Sequence, residues 1–595
     1  MSNHAVPVSA SDPGIAEGGA SSRVHTGADL LVDVLIRAGV STMFGVPGDT
    51  GVVFYDALYR RSTAIRHILA RDERHAGFMA DAYARTTGTV GVVEVSSGGG
   101  SAYVVGGLGE SYAASVPVLV IASDIQASSR GTGALTEMDQ RSLFFAVTKW
   151  QGVVDSAVDL PDMVSEALRQ ATTGRPAPVA LIIPENVLDE EPPLHCARVN
   201  LSFESVTTPR EHPGADPNAV RRAAELLTSA MRPAIVAGSG VHWSRAWGKL
   251  ATLVEHAGIP VATTVHGKGA LSDDSTWYLG VVGGNGGSER ASTYLRMADT
   301  VLFVGTRANA TDTDGWTAPP RNGPQVIQID IDSDRAGRNF PDSIGLVGDA
   351  GAVLGALHSA IAPADPIRRN VLASWIAEHA PLRAPIVIDD VVHERLSTPG
   401  VIQVLHAVTS GRPHLVLADP GTPTPHIADL WRTPVPGRTV IAPRGHGPMG
   451  YAIPAAVGAS VANPEATVVA VAADGSFAMS CGELETVARL GLPIIYVQLT
   501  NFSLGWIKML QHLYTERRYF SVDPGPTDAV LVAQASGLDA VRVHSLAHLR
   551  DAVSSAIEAR RAIYIDVPVH HLIDEVPPVS SWQAALAGDT ARPSY

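Results

Sequence analysis

The stretch TVVAVAADGSFAMSCGELETVARLGLPIIYVQLTNFSLGW, residues 467–506, contains two apolar runs that each lead to a polar side chain. The first run ends at Asp474-Gly475, and the second, IIYVQL, leads to Asn501. Between them, GELETVARL has a helical pattern that the following glycine and proline end. The spacing predicts one strand–helix–strand unit, with Asp474 and Asn501 at the carboxyl ends of neighbouring parallel strands.

These two side chains suit a metal ion. Carboxylate and amide oxygens, together with a nearby carbonyl, are the protein ligands that Mg²⁺ takes when it also binds a diphosphate. Asp-Gly is also a common turn and Asn a common loop residue, so either residue alone predicts no more than a loop. The pair, framing Ser476 and Phe477, favours the metal site.

Composition limits the classes of protein. The chain has 595 residues, 45% of them hydrophobic and 17% charged, and a formal net charge of −15, which predicts several folded domains. The negative charge argues against nucleic acid and anionic membrane surfaces as partners. The apolar runs are too short to span a membrane, and the start of the chain lacks the features of a signal peptide. The two cysteines form neither a disulfide framework nor a zinc-binding pattern. We expect a cytoplasmic protein.

Strand and helix patterns alternate through most of the chain. This alternation predicts an α/β protein built from three doubly wound parallel-sheet domains. The order of strand and helix patterns is more alike in the first and third domains than in the second. The predicted division is a flexible N-terminal tail at 1–23, an α/β domain at 24–195, a central Rossmann-like α/β domain at 215–360, a linker at 361–398, a third α/β domain at 399–575 and a C-terminal tail at 576–595.

The segment 467–506 resembles the diphosphate-binding motif of thiamine-diphosphate-dependent enzymes, which runs from Gly-Asp-Gly-Ser to Asn-Asn. Ala473 and Thr500 stand in place of the first Gly and the first Asn, whereas the two implied Mg²⁺ ligands, Asp474 and Asn501, are kept. The resemblance implies a third metal ligand and further cofactor contacts. These are the carbonyl of Ser503 and the residues Gly475, Ser476, Leu504 and Gly505.

Three other stretches resemble cofactor-binding segments of the same family. In IRHILARDERHAGFMADAYAR, Glu73 matches the glutamate that bonds the pyrimidine ring and activates the cofactor, with Asp72 where histidine is usual. Taken alone, Glu73 is also a residue type that the helix dipole favours in a first turn. RGHGPMGYAIPAAVGA implies Met449 as the wedge that bends the cofactor, and LADPGTPTP implies Gly421 and Thr422 as diphosphate contacts.

The resemblance covers about residues 24–575 and is closest to acetolactate (acetohydroxyacid) synthase. It implies a pyrimidine-binding first domain, a diphosphate-binding third domain, and a homodimer or homotetramer with active sites between subunits. The implied enzyme decarboxylates a 2-oxo acid such as pyruvate and transfers the acyl carbanion to a carbonyl acceptor. The residues implied on the substrate side are Gly48, Thr136, Lys149 and Trp506.

Several points stay open from the sequence. Acetolactate synthases also bind FAD, and Arg307 and Asp330 occupy matching places, but most of an expected charged run is missing. The GSG at 238–240 is an incomplete dinucleotide fingerprint, so an NAD-dependent dehydrogenase is a weaker alternative. The residues are also compatible with a 2-oxo acid decarboxylase without ligation, a lyase that cleaves a C–C bond in another carbonyl substrate, and a catalytically silent cofactor-binding paralogue.

Overall fold

The computed structural model describes residues 25–193, 202–380, 388 and 390–588, without the side chains of residues 203 and 204. Three six-stranded sheets follow one another along the chain. Their strands pair in parallel, as the sequence predicted. The predicted tail at 1–23 lies outside the described residues. Within those residues, no helix is long and apolar enough to cross a membrane.

The first sheet has the strand order β2-β1-β3-β4-β6-β5. Helices cover both of its faces, which is why a strand such as VLVIASD is buried at every position. The strands are β1 (Thr42–Gly45), β2 (Arg66–Leu69), β3 (Gly91–Val95), β4 (Val118–Asp124), β5 (Trp150–Val153) and β6 (Val179–Pro184). The helices are α1 (Gly27–Arg37), α2 (Val52–Arg60), α3 (Glu73–Thr87), α4 (Gly99–Ala114), α5 (Gln140–Phe145), α6 (Leu160–Thr172) and α7 (Glu185–Asp189).

The central sheet has the order β12-β11-β10-β7-β8-β9. Its strands are β7 (Pro233–Ala237), β8 (Val261–Thr263), β9 (Tyr278–Val281), β10 (Thr300–Val304), β11 (Gln325–Asp330) and β12 (Ile344–Val347). Its helices are α8 (Pro217–Ser229), α9 (Ser239–Trp243), α10 (Trp247–Ala257), α11 (Glu289–Met297), α12 (Ala350–Ala360) and α13 (Pro366–Glu378). One apolar core joins these helices to the sheet.

The third sheet has the order β14-β13-β15-β16-β18-β17. Its strands are β13 (His414–Ala418), β14 (Val440–Ile441), β15 (Thr467–Ala473), β16 (Ile494–Thr500), β17 (Asp539–Arg542) and β18 (Ile563–Pro568). Its helices are α14 (Thr398–Thr409), α15 (Pro423–Leu430), α16 (Ala452–Ala462), α17 (Asp474–Ser480), α18 (Glu483–Leu490), α19 (Gly505–Tyr514), α20 (Ala529–Ala535) and α21 (Leu546–Ala559), and α22 (Ser580–Ala587) follows the sheet.

The first and third domains share one topology and pack on each other through α3 and α16. Counted from the first strand of each sheet, both have the order 2-1-3-4-6-5. A Cβ on Gly458 of α16 would lie 2.0 Å from the Met79 carbonyl oxygen of α3, so only glycine permits this close helix contact. Residues of both domains, Phe78 and Tyr451 among them, consequently share one apolar core.

Two stretches predicted as linker and tail contain packed helices. In the predicted linker at 361–398, α13 buries Leu372 and Ile376 in the core of the central domain. In the predicted tail at 576–595, α22 buries Trp582 against the third domain. Composition did not reveal these helices, because a few buried side chains decide that each helix packs.

Candidate functional site

Asp474 lies where β15 ends and α17 begins, and its carboxylate reaches the end of the neighbouring strand β16. Its Oδ2 accepts the backbone N–H groups of Asn501 at 3.0 Å and Phe502 at 2.5 Å, and its Oδ1 accepts that of Gly475 at 2.8 Å. The expected proximity of Asp474 and Asn501 is therefore present. One detail differs, since Asp474 and Gly475 begin a short helix and do not form a free turn.

The loop after β16 is held in one conformation. Phe502 has a left-handed φ of 58°, which costs energy in a residue other than glycine, and this conformation lets its N–H reach Asp474. The Asn501 Oδ1 atom accepts the N–H of Ser503 at 3.1 Å, and the Ser503 hydroxyl donates to the Val522 carbonyl at 3.2 Å. The loop is thus fixed against the carboxylate.

Four further candidates enclose the same edge of the sheet. A Cβ on Gly475 would lie 2.7 Å from Leu504 Cδ2 and 3.0 Å from Met449 Cε. A Cβ on Gly505 would lie 2.9 Å from Asn501 Nδ2. A side chain at either glycine would make Leu504, Met449 or Asn501 shift, so glycine lets these three side chains lie close to the edge.

Buried polar groups accompany this edge. Asp419 is fully buried, its Oδ1 accepts the N–H of Tyr451 at 2.8 Å, and burial raises its pKa to about 7. The buried Ser476 hydroxyl makes no close hydrogen bond within the described residues. Thr422 is buried, whereas Gly421 has a φ of 89° and open space where a Cβ would lie. These segments offer polar groups and room for a polar ligand.

The oxygens of Asp474, Asn501 and Ser503 fit Mg²⁺. Burial raises the pKa of Asp474, and hydrogen bonds from backbone N–H groups lower it by a smaller amount. A divalent cation would supply the charge that restores the ionised carboxylate. No group of three or more His, Cys, Asp or Glu side chains in the described ranges could hold a metal ion. A metal at this edge therefore depends on one carboxylate, amide and carbonyl oxygens, and oxygens of a bound ligand.

Two departures from the family pattern have structural explanations. Thr500 is buried, donates to the carboxylate of Asp566 and accepts from Gln498 Nε2 at 2.7 Å. Asp72 caps α3 by accepting the N–H of Arg74 at 2.8 Å. Both side chains bond within their own domains, so neither departure removes a candidate site residue.

Glu73 is the first residue of α3, at the carboxyl edge of the first sheet. Its Oε1 atom lies 3.1 Å from the place that a Cβ on Gly100 would occupy. Burial raises its pKa, and the adjacent Asp72 charge raises it further. Glu73 is therefore a half-buried carboxyl group, facing the glycine-rich start of α4, that keeps a proton more readily than an exposed glutamate does.

Gly48 and Thr136 meet the same turn between β3 and α4. A Cβ on Gly48 would lie 2.3 Å from the Ser96 Cβ. The Thr136 Oγ1 atom lies 2.7 Å from the Ser97 Oγ atom. The structure thus gathers Gly48, Glu73 and Thr136 at one edge of the first sheet, separate from the group around Asp474.

Lys149 does not join this group. Its Nζ donates to three backbone carbonyls, those of Gln170 at 2.9 Å, Thr173 at 2.6 Å and Arg175 at 3.1 Å. These three bonds use the whole donor capacity of an ammonium group. In this structure the side chain therefore ties down the end of α6, and the substrate-side role of Lys149 stays a prediction.

Trp506 packs against the helix α22. Its ring packs edge-to-face on Trp582 with the ring centroids 5.4 Å apart, in an apolar cluster with Met509, Leu572 and Val579. Trp582 lies on α22, whose packing was not predicted. The contacts of Trp506 therefore connect α19 with α22, and its substrate-side role stays a prediction.

Arg307 and Asp330 line one cavity at the carboxyl edge of the central sheet. The Arg307 guanidinium donates to the carbonyls of Ala113 at 3.2 Å and Arg444 at 3.4 Å, so it bridges all three domains. Burial raises the pKa of Asp330 to about 6. The cavity combines the positive charge of Arg307 with a partly buried carboxyl group.

Glu94 was missed by the sequence analysis. It is buried in β3 beneath the turn that carries Ser96, and its Oε2 accepts the Tyr55 hydroxyl. Its Oε1 has no hydrogen bond within the part of the chain that the structure describes. Burial raises its pKa to about 8, and the charge of Glu73 adds to this effect. The sequence feature that could have identified Glu94 is the single acidic residue within the apolar strand GVVEV.

Comparisons with known proteins agree with this geometry. Three family models match, described as thiamine pyrophosphate enzyme N-terminal TPP binding domain (residues 25–143), central domain (220–357) and C-terminal TPP binding domain (419–567). A probable acetolactate synthase large subunit of Methanocaldococcus jannaschii is 31% identical, covering 93% of each chain. The large subunit of acetolactate synthase isozyme 3 of Escherichia coli is 32% identical, covering 91% of this chain and 95% of that protein.

Proposed function

The chain belongs to the thiamine pyrophosphate (thiamine diphosphate) enzymes and is acetolactate synthase-like, and on that premise we propose that it is a Mg²⁺-dependent carboligase. It decarboxylates a 2-oxo acid such as pyruvate and joins the remaining acyl fragment to a carbonyl acceptor. One observation carries the proposal. Asp474 and Asn501 meet at one sheet edge, and Glu73 lies at the corresponding edge of a second sheet with the same topology.

The third domain holds the diphosphate end of the cofactor. Asp474, Asn501 and the Ser503 carbonyl ligate Mg²⁺, with the diphosphate oxygens completing its shell. Gly421 and Thr422 supply a polar segment for the diphosphate. Met449, which packs over Gly475 together with Leu504, is the apolar wedge that separates the two rings of the cofactor.

The first domain supplies the acid. Glu73 bonds the pyrimidine nitrogen and holds a proton there, and its raised pKa favours the protonated form nearer to neutral pH. When bound, the cofactor supplies a nucleophilic carbon for the 2-oxo acid carbonyl and a ring that takes up the electrons left by CO₂. Gly48 and Thr136, beside Glu73, line the approach of the substrate.

A second copy of the chain completes each site. The Glu73 group and the Asp474 group have separate contacts within one chain. Large apolar side chains are exposed next to both, including Tyr103 (64%) and Leu135 (84%) beside the first and Phe502 (46%) and Phe520 (80%) beside the second. Such exposed apolar surface is typical of an interface between subunits. The expected oligomeric state is a homodimer or a homotetramer. Light scattering of the protein as it elutes from a size-exclusion column measures it.

The cavity of the central domain takes an adenine dinucleotide such as FAD. Arg307 and the partly buried Asp330 offer partners for a diphosphate and a ribose hydroxyl, respectively. The test is the absorbance of the purified protein near the flavin bands, with analysis of the nucleotide released on denaturation. Release of a flavin supports this part of the proposal, and failure to bind added FAD contradicts it.

Product analysis tests the reaction. The purified protein is incubated with thiamine diphosphate, Mg²⁺ and pyruvate, with and without a second carbonyl compound, and both CO₂ and carbon products are measured. Release of CO₂ together with a 2-hydroxy-2-methyl-3-oxo acid or another ligated product supports carboligation. Free acetaldehyde as the sole product would identify a decarboxylase, and full turnover without Mg²⁺ would contradict the metal site.

A further inference from the structure

Glu110 connects the first domain to the segment that carries Met449. It lies on α4 and is fully buried. Its carboxylate accepts the backbone N–H groups of Gly445 at 3.0 Å, His446 at 2.7 Å and Gly447 at 3.2 Å. These three residues form the turn between β14 and α16, and Met449 follows two residues later. A side chain of one domain therefore fixes the turn that carries the apolar wedge of the other.

Glu483 makes the reverse connection. It lies on α18 of the third domain and is also fully buried. Its Oε1 atom accepts the N–H of Arg71 at 2.8 Å and lies 3.0 Å from His75 Nδ1, while its Oε2 accepts the Thr486 hydroxyl. Arg71 and His75 lie two residues before and two residues after Glu73. One oxygen of Glu483 thus holds both sides of Glu73.

The two glutamates occupy corresponding places in two domains of the same topology. The turn between β2 and α3 corresponds to the turn between β14 and α16, because β2 and β14 are the matching edge strands. Glu110 and Glu483 both lie on helical segments between the third and fourth strands of their sheets. Each one binds the strand-to-helix turn of the opposite domain.

We infer that Glu110 and Glu483 are a reciprocal pair of positioning residues, each of which fixes the turn in the opposite domain that carries a cofactor-contacting residue. This inference rests on the proposed function, since Met449 and Glu73 are the residues positioned. Neither glutamate touches the cofactor. Their effect is to hold the wedge and the acid in the geometry that lets the thiazolium carbon lose its proton.

Glu483 permits a pair of substitutions that separate positioning from charge. The bonds to Arg71 and His75 both use one oxygen of Glu483. Glu483→Gln keeps an oxygen at that position. Glu483→Leu has a similar shape but removes the oxygen. The measurement is the rate at which the C2 proton of bound thiamine diphosphate exchanges with D₂O. Misplacement of about 1 Å costs on the order of 100-fold in rate, so we expect about a 10- to 100-fold slower exchange in E483L and a near wild-type rate in E483Q.

Glu110 gives the opposite expectation for glutamine. Both of its oxygens accept bonds from the Gly445–Gly447 turn, and its Oε1 also accepts Arg85 at 3.2 Å. Glu110→Gln keeps the size of the side chain but places an amide N–H group against the backbone N–H groups of the turn. Because two donors cannot bond each other, we expect the turn to shift and exchange of the C2 proton to slow. Glu190→Gln is the matched control, because Glu190 accepts the Ser156 hydroxyl and the Ala157 N–H within the first domain, away from both turns.

The exchange rate is measured on cofactor-saturated, folded protein, so a role in folding alone would leave it unchanged. Slow exchange in E483L and E110Q, with wild-type rates in E483Q and E190Q, supports the inference. If E110Q does not fold, the two Glu483 variants decide. Wild-type exchange in folded E483L and E110Q overturns the inference alone. A wild-type protein that binds thiamine diphosphate but shows no C2 exchange overturns the proposed function and the inference together.

Discussion

The carboxylate of Asp474 accepts the backbone N–H of Asn501 at 3.0 Å, although 27 residues separate the two in sequence. The contact joins the ends of two neighbouring parallel strands, where ligands bind in open α/β sheets. The same carboxylate is partly buried and has a raised pKa, and the proposed cation would favour its ionised form. The proposed anchor of the cofactor diphosphate follows from this one relationship.

Glu73→Gln tests the role of the acid. The amide keeps the size of the side chain and can still contact the pyrimidine, but it cannot exchange a proton with it. We expect thiamine diphosphate to bind, while turnover of the 2-oxo acid falls by about 100- to 10,000-fold, the usual size of a general acid–base contribution. Titration calorimetry and steady-state CO₂ release give the two quantities. A variant with full turnover would show that Glu73 is not the acid.

Glu94→Gln tests the buried acid below the first-domain turn. The pKa of Glu94 is raised to about 8, so its protonated form is favoured in the folded state. Its contribution to the free energy of unfolding is fully present below about pH 4 and is lost as the pH rises toward 8. The variant, which is always neutral, should exceed wild type by roughly 4 kcal/mol at pH 8.

Denaturant unfolding of both proteins at pH 4 and at pH 8 measures that difference. The gap between them should close at the lower pH, where the unfolded glutamate is also protonated. An equal gap at both pH values would contradict a raised pKa for Glu94.

Trp582→Ala tests the packing of the C-terminal helix. Trp582 is 1% exposed, packs on Trp506 and donates its Nε1–H to the Gly284 carbonyl at 2.8 Å. Loss of the ring should destabilise α22 by about 3–5 kcal/mol, seen as faster proteolytic cleavage near the C-terminus. Trp582→Phe is the control, since it loses mainly the hydrogen bond and about 1 kcal/mol. Equal protection of the alanine variant and wild type would mean that the helix is not held by this residue.

Lys149→Met separates a structural role of Lys149 from the predicted substrate-side role. The substitution leaves three carbonyls without their donor, which should lower the free energy of unfolding by about 1–3 kcal/mol. Because the side chain lies outside the gathered site residues, KM for the 2-oxo acid should stay at the wild-type value. A raised KM in a variant of unchanged stability would support the substrate-side prediction.

The sequence predicted the parts of the molecule that depend on local spacing. Asp474 and Asn501 end consecutive strands of one strand–helix–strand unit, so their separation along the chain and their strand register are enough to bring them together. The three parallel sheets follow from the same alternation. Gly475 is a similar case, because a glycine after the carboxylate allows Met449 and Leu504 to approach.

Contacts between distant segments could not be predicted in this way. The Glu110 carboxylate meets Gly445 across 335 residues, and Glu483 meets His75 across 408. The contacts of Lys149 could not be predicted, because the three carbonyls around it are grouped only by the fold. The contact of Trp506 with Trp582 could not be predicted, because the helix around Trp582 is short and has an ordinary composition.

Calorimetric titration of thiamine diphosphate, with and without Mg²⁺, into wild type and Asp474→Asn tests the central claim most directly. We expect Mg²⁺-dependent binding to wild type and an affinity lower by at least about 100-fold in the variant, since even outer-shell partners of a metal contribute about 10- to 100-fold. Unchanged unfolding of the variant would exclude a loss of fold as the cause. Equal affinity of both proteins in the presence of Mg²⁺ would contradict the claim that Asp474 anchors the cofactor through a metal ion.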